Sequence, residues 1–149
     1  MVISGGDIKR LREVTGAGVM ECKVVLKEVG GDFDKAVALV HERGLAKAEK
    51  KQSRTAGAGL VHSYIHNERV GVLLDIRAET DFVVRGELFR TLAHEVAMQI
   101  AAMGPENVSA LLVQPFIKDE SKTIEQLIKS VVARVGENIK VERFARYEL

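Results

Sequence analysis

Residues 61–76 read VHSYIHNERVGVLLDI, and this stretch decides the fold. Apolar side chains alternate with their neighbours in residues 61–66 and again in residues 70–77, on either side of Asn67-Glu68. A period of two is typical of a β-strand, because successive side chains point to opposite faces. We therefore predict two antiparallel strands joined by a hairpin with Asn67-Glu68 at its tip.

Two amphipathic helices are predicted after the hairpin. The second begins at Thr123, where Gln126 completes a capping box, and ends at Gly136. The first ends near Gly104-Pro105, and its apolar face is formed by Leu88, Phe89, Leu92, Ala93, Val96 and Ile100.

Residues 139–147 alternate once more and predict a third strand. A strand that returns after two helices can pair with the hairpin and leave one face of the sheet to the helices. Residues 56–149 are therefore expected to form an α+β domain with a small antiparallel sheet of about three strands.

The first 44 residues carry helical signals only and predict three short helices. Ser4 and Asp7 resemble a capping box at the start of the first helix. Glycines at positions 16 and 18 predict a turn after it, and Asp32 can cap the third helix. We expect Gly44 to end that helix, so that residues 1–44 form a compact bundle.

Residues 45–55 predict a connecting helix with a basic run. Four basic residues stand against a single Glu49: Lys47, Lys50, Lys51 and Arg54. Charge runs of this kind are usually solvated helix faces. A contact patch for RNA or for an acidic partner is the alternative.

The composition is that of an ordinary globular protein. The chain has 149 residues, of which 46% are hydrophobic and 29% charged. Its 22 Lys and Arg balance 21 Asp and Glu, whereas a protein held to nucleic acid mainly by phosphate charge shows a basic excess. The single Cys22 rules out an internal disulfide and favours a reducing compartment. No apolar run approaches the roughly 20 residues of a membrane span, and residues 1–9 lack signal-peptide regions. We expect a cytoplasmic protein without direct nucleic-acid or membrane partners.

The sequence offers no convergent set of nucleophile, base and stabiliser, so we expect neither an enzyme nor a cofactor. His62 and His66 share one face of a strand and could hold a metal with Asp75, although a polar solvent-facing surface is the more frequent meaning of such a pattern. Cys22 lies on the apolar stripe of its helix and is expected to be a small buried side chain, not a nucleophile.

Residues 79–84, ETDFVV, place an aromatic residue beside a carboxylate between the second strand and the next helix. Connections of this kind run over the surface. An exposed Phe82 next to Asp81 has the composition of an interface anchor. The alternative is that Phe82 folds back under the following helix as part of the core, and the residues alone leave both open.

Short segments along nearly the whole chain resemble one protein family, the bacterial translation elongation factor Ts family. They occur in the family's order: TGAGVMECK (15–23), GGD (30–32), GLAKA (44–48), ETDFV (79–83), QPFIKD (114–119), VGENI (135–139) and RFARYEL (143–149). The match is weakest over residues 84–113. Family members usually carry a longer segment between the helix ending near Met103 and Gln114, so this chain resembles a short form with a shortened core domain.

The resemblance implies a guanine-nucleotide exchange factor that binds elongation factor Tu in its GDP-bound and nucleotide-free forms. Residues 1–44 resemble a ubiquitin-associated-type bundle that docks on Tu, and the resemblance also allows a homodimer. Docking would use three residues of this bundle: Arg12, Met20 and Lys23.

By the same resemblance, Asp81 and Phe82, held by Thr80 and Val83, would enter beside the Mg²⁺ site of Tu and promote GDP release. Two other functions compete with this one. The bundle could instead hold an extended peptide regardless of nucleotide state, or the histidines could serve a metal-dependent enzyme.

Overall fold

A computed structural model describes residues 2–149, and the chain divides into two compact units. The first unit ends at Lys47, and the second runs from Ala48 to Leu149. The finer division predicted above, with boundaries at residues 44 and 55, stays a prediction. The elements follow in the order α1 (Gly5–Thr15), α2 (Val19–Glu28), α3 (Phe33–Lys51), β1 (Ala58–His66), β2 (Val70–Ala78), α4 (Asp81–Arg85), α5 (Glu87–Met103), α6 (Val108–Val113), β3 (Pro115–Phe116), β4 (Asp119–Thr123), α7 (Ile124–Val135) and β5 (Lys140–Glu148).

The first unit contains the predicted helices. Ser4 caps α1: its hydroxyl accepts a hydrogen bond from the Asp7 amide at 3.1 Å, and its own amide donates to the Asp7 carboxylate at 3.2 Å. Gly16 then ends α1 in the left-handed conformation, with a φ of 74°. The helices share a small core made of Leu11, Cys22, Val25, Leu26, Ala36 and Val40.

Gly44 does not end the third helix, so that prediction was wrong. Helix α3 continues through Gly44 to Lys51. A glycine costs a helix interior only about 1 kcal/mol relative to alanine, and residues 45–51 are rich in the strong helix formers Leu, Ala, Lys and Glu. Part of the basic run therefore extends this helix, and Lys47 is paired with Glu21 at 2.9 Å.

The second unit is built on a three-stranded antiparallel sheet with the order β1-β2-β5. The predicted hairpin and the returning strand are both confirmed. Asn67 and Glu68 at the hairpin tip have φ angles of 49° and 57°, a left-handed conformation that is uncommon for residues with a Cβ atom. The pairing of β2 with β5 shifts register between Asp75 and Ile76.

Helices lie against this sheet, which confirms the predicted α+β class. Helix α5 packs on β1 and β2, and α7 packs on α5. The capping box of α7 is present, since the Thr123 hydroxyl accepts from the Gln126 amide at 3.2 Å. Helix α5 ends at Gly104 with a φ of 54°, as predicted. Within residues 2–149, no helix has both the length and the apolar character needed to cross a membrane.

The sequence analysis missed the shortest elements, α4, α6, β3 and β4. Each is too short for a hydrophobic period to be visible, and local hydrogen bonds define them instead. Asn107 caps α6 by accepting from the Ala110 amide at 2.8 Å. Gln99, fully buried in α5, donates to the Pro115 carbonyl at 3.0 Å and accepts from the Ile117 amide at 2.9 Å, which holds the segment of β3 in place.

Candidate partner-binding site

The connection between β2 and α5 is a one-turn helix, α4, where the sequence predicted a surface loop. Thr80 is its N-cap, because the Thr80 hydroxyl accepts from the Val83 amide at 3.3 Å. Val83 and Val84 are buried beneath the turn and join the core of the second unit. The helix is thereby anchored through its valines, and its remaining residues are free to face solvent.

Phe82 is 87% exposed, so its ring does not belong to the core of the second unit. The alternative in which the ring folds under α5 is therefore wrong. Asp81 beside it is also exposed. An aromatic side chain that stays in water forgoes roughly 1.5–3 kcal/mol of burial free energy, and this free energy is available to a partner surface.

An open cleft runs beside the ring. Its lining includes Phe82, Leu88 and Val135, with Asp81 and Arg85 at the polar side. Leu88 was predicted on the buried face of its helix but is partly exposed, because it lies in the first turn of α5 next to this cleft. The exposed surface around α4 is thus apolar over more than the one ring.

Glu137 contacts the helix from a distant part of the sequence. The Thr80 amide donates to one carboxylate oxygen of Glu137 at 2.9 Å, and the Thr80 hydroxyl donates to the other at 2.8 Å. Sequence reasoning assigned no role to Glu137, although it stands in the segment VGENI that contributed to the resemblance. A pattern of local spacing could not reveal this contact, since 57 residues separate the two side chains.

The predicted docking residues lie in the first unit. Arg12, in the last turn of α1, is exposed, and Met20 in α2 is 68% exposed. Lys23 follows Met20 by three residues, so the two share one solvent-facing side of α2. The side of α2 opposite to them carries the buried Cys22. Burial raises the pKa of the Cys22 thiol, which disfavours the reactive thiolate.

The alternative metal site is not assembled. His62 faces His94 of α5, with ring centroids 5.6 Å apart, whereas Asp75 hydrogen-bonds Arg77 at 2.7 Å and pairs with Arg143 at 3.3 Å. The Arg77 guanidinium, followed by Arg143, lowers the pKa of Asp75. No group of three His, Cys, Asp or Glu able to hold a metal ion occurs in the part of the chain from residue 2 to residue 149.

Comparison with known proteins identifies the family. The sequence model described as "Elongation factor TS" matches residues 19–115 and 79–149. Elongation factor Ts of Coprothermobacter proteolyticus is 42% identical over 195 residues, covering 100% of this chain and 99% of the relative. That of Desulforamulus reducens is 43% identical over 193 residues, covering 99% and 89%. These alignments exceed the 149 residues of the chain, so the relatives carry residues that have no counterpart here. The chain belongs to the elongation factor Ts family of translation elongation factors.

Proposed function

We propose that this chain is a non-catalytic, cytoplasmic guanine-nucleotide exchange factor that binds elongation factor Tu loaded with GDP, disturbs its Mg²⁺ site and promotes GDP release. The observation that carries the proposal is the 87% exposure of Phe82 on a helix whose other side is anchored by buried Val83 and Val84. An exposed aromatic ring on a fixed support is suited to entering a partner, and it makes or breaks no covalent bond.

The expected action is on the coordination of the metal ion of the partner. Magnesium requires nearly ideal octahedral geometry with ligands at about 2.0–2.1 Å. A ring and a carboxylate that enter beside the ion displace its protein and water ligands, and the phosphates that the ion bridges are then held less tightly. In this proposal Asp81 and Phe82 enter, while Thr80 and Val83 hold them in position.

The energies indicate that Phe82 needs help from a second surface. Accelerating GDP release ten-thousandfold requires about 5.5 kcal/mol. Burying one phenylalanine side chain supplies roughly 1.5–3 kcal/mol. We assign the remainder to docking through the exposed residues of the first unit, Arg12, Met20 and Lys23, which contributes while the factor is below saturation and leaves the maximal rate unchanged.

The proposal is tested by following the loss of a fluorescent GDP analogue from Tu in a stopped-flow instrument. Catalytic amounts of the factor should accelerate the loss, because one molecule of factor acts on many molecules of Tu in turn. A peptide-binding module, the competing function, would bind without changing the rate of nucleotide release. An unchanged rate would therefore reject exchange activity and leave the binding module as the better description.

We also propose a homodimer formed through the face of the sheet that the helices leave uncovered. The exposed apolar side chains of this face come from all three strands: Val61 and Ile65 of β1, Leu73 of β2 and Tyr147 of β5. Gly71 lies between Ile65 and Tyr147 in the register, and the Ile65 side chain reaches over it.

This face carries one buried carboxylate, Asp75, which a dimer has to accommodate. Asp75 is already neutralised by Arg77 and Arg143, so packing two such sheets about 10 Å apart would bury no unpaired carboxylate. Leu73→Lys should convert a dimer to a monomer in analytical ultracentrifugation, with the exposed-site variant Val113→Lys as control. A wild-type chain that sediments as a monomer at micromolar concentration would exclude this interface.

A further inference from the structure

We infer that Glu137 is a positioning residue for nucleotide exchange: its carboxylate holds Thr80 and so fixes the direction in which α4 presents Phe82. The inference rests on the proposed exchange function and extends it to a residue that touches neither the partner nor the nucleotide in that proposal.

Thr80 donates to Glu137 and accepts from α4. The Thr80 hydroxyl donates to Glu137 at 2.8 Å and accepts from the Val83 amide at 3.3 Å. Because the carboxylate only accepts, it fixes the proton of the hydroxyl toward itself and leaves the lone pairs of that oxygen for the helix. Glu137 thereby orients the group that caps α4, in addition to binding the Thr80 amide at 2.9 Å.

Helix α4 is too short to be stable without contacts from outside it. Helix α4 has five residues, and an isolated helix of this length is unstable in water because nucleation is unfavourable. Its first amides have no partner within the helix, and a carboxylate close to that end is electrostatically favourable. Without Glu137 the turn would depend on a Thr80 cap of unfixed orientation and on the burial of Val83 and Val84, and the direction of the Phe82 ring would vary.

Glu137 stands between two residues whose backbone is held in place. Gly136 ends α7 with a φ of 77°, and Asn138 on the other side is buried. The Asn138 side-chain amide donates to the Arg54 carbonyl at 2.8 Å and to the Gln52 carbonyl at 3.3 Å. The backbone on both sides of Glu137 is therefore fixed by contacts that do not involve α4.

Arg54 contacts both neighbours of this site, Asn138 through its carbonyl and Glu79 through its guanidinium. Its guanidinium lies 3.8 Å from the carboxylate of Glu79, which immediately precedes Thr80. Three chain segments, 52–54, 79–80 and 137–138, therefore meet at the base of α4 within the second unit. Because Glu137 follows α7 and binds the N-cap of α4, the position of α7 fixes the position of the helix that carries Phe82. A positioning role requires such a connection.

The test is a double-mutant cycle on the maximal rate of fluorescent GDP release at saturating factor. Glu137→Ala should lower this rate about tenfold, and Glu137→Gln, which keeps one acceptor oxygen, should lower it less. In the Phe82→Ala background, Glu137→Ala should cause a much smaller loss, because Glu137 acts mainly through that ring. Glu142→Ala, which removes a surface glutamate paired with Lys140, is the matched control and should retain the wild-type rate.

A second readout separates positioning from general stability. Amide hydrogen exchange of residues 81–85 should accelerate in Glu137→Ala, while exchange in α5 and the melting temperature change little. Additive losses in the cycle, or a wild-type rate in folded Glu137→Ala and Glu137→Gln, would overturn the inference while the exchange function stands. If Phe82→Ala itself keeps the wild-type rate, the proposed function fails and the positioning role fails with it.

Discussion

Helices α2 and α4 both present an apolar side chain to solvent, Met20 and Phe82, but they hold it in different ways. Helix α2 has ten residues, and its own buried face carries Cys22, Val25 and Leu26. Helix α4 has five residues and depends on a carboxylate 57 positions away. Methionine is flexible and adapts to a partner, whereas a phenylalanine ring is stiff. In the proposed function, this difference assigns affinity for the partner to α2 and displacement of groups inside the partner to α4.

The largest expected effect comes from removing the stiff ring. Phe82→Ala should lower the maximal rate of GDP release by at least about thirtyfold, because an interface anchor of this kind contributes about 2 kcal/mol or more. The free energy of unfolding should stay within about 0.5 kcal/mol of the wild type, since the ring is exposed. Stopped-flow fluorescence and denaturant titration measure the two quantities. Met103→Ala, at another exposed apolar side chain, is the control. An equal loss of the release rate in that variant would contradict a specific role of Phe82 in exchange.

A smaller effect is expected from a substitution in α2, and it should appear in the half-saturating concentration of the factor. Met20→Ala should raise the concentration of factor that gives half-maximal exchange about fivefold, corresponding to about 1 kcal/mol, and leave the maximal rate unchanged. The same titration of Tu with increasing factor measures both parameters. Val14→Ala, at an exposed position of α1, serves as control. A lower maximal rate with unchanged half-saturation would contradict the assignment of α2 to docking.

The smallest expected effect is a difference between the two units in how their stability depends on pH. Burial, then His94 and Arg90, lower the pKa of His62 below its ordinary 6.5. The stability that the neutral ring contributes is present above pH 6.5 and is lost as the pH falls through the lowered value, because the unfolded chain binds the proton first. In the first unit the hydrogen bonds from Ser4 lower the pKa of Asp7 below 3.8, so its contribution is lost only in stronger acid.

The two units should therefore respond to mild acid differently. Between pH 7 and pH 5, the amide protection factors, which are corrected for the slower intrinsic exchange in acid, should fall in the second unit and change less in the first. His62→Phe should reduce this response, because phenylalanine binds no proton. The fold should tolerate the change, since the Nε2 atom of His62 is buried without a hydrogen-bond partner and its loss leaves no group unsatisfied. His66→Phe, at an exposed ring on the same strand, should leave the response intact. An unchanged response in His62→Phe would assign the acid sensitivity to another group.

Long periodic segments were predictable from the sequence, and short ones were not. The alternation around Asn67-Glu68 predicted the sheet, and the pair Thr123 and Gln126 predicted the start of α7, because both signals are local and repeated. The prediction that Gly44 ends the third helix was wrong, since the helix formers that follow outweigh the low helix propensity of one glycine. The placement of Phe82 could not be decided, because burial of a single ring depends on which tertiary contacts compete for it.

The contact of Glu137 with Thr80 shows what a single sequence cannot supply. Neither residue lies on a periodic face, and no spacing rule relates two residues that are 57 positions apart. The contact exists because the sheet and α7 bring two segment ends together, so it becomes visible only in the folded chain. The Arg12, Met20 and Lys23 set stays a prediction from resemblance, to which the structure adds that all three side chains are exposed.

The central claim is that this chain and guanine nucleotide weaken each other's binding to Tu, and paired affinity measurements test it most directly. Isothermal titration calorimetry gives the dissociation constant of the factor for nucleotide-free Tu and for Tu loaded with Mg²⁺ and GDP. Thermodynamic linkage requires the ratio of these two constants to equal the factor by which the chain weakens GDP binding. We predict a much tighter complex with nucleotide-free Tu and a matching ratio, whereas equal affinity for the two forms would contradict the exchange mechanism.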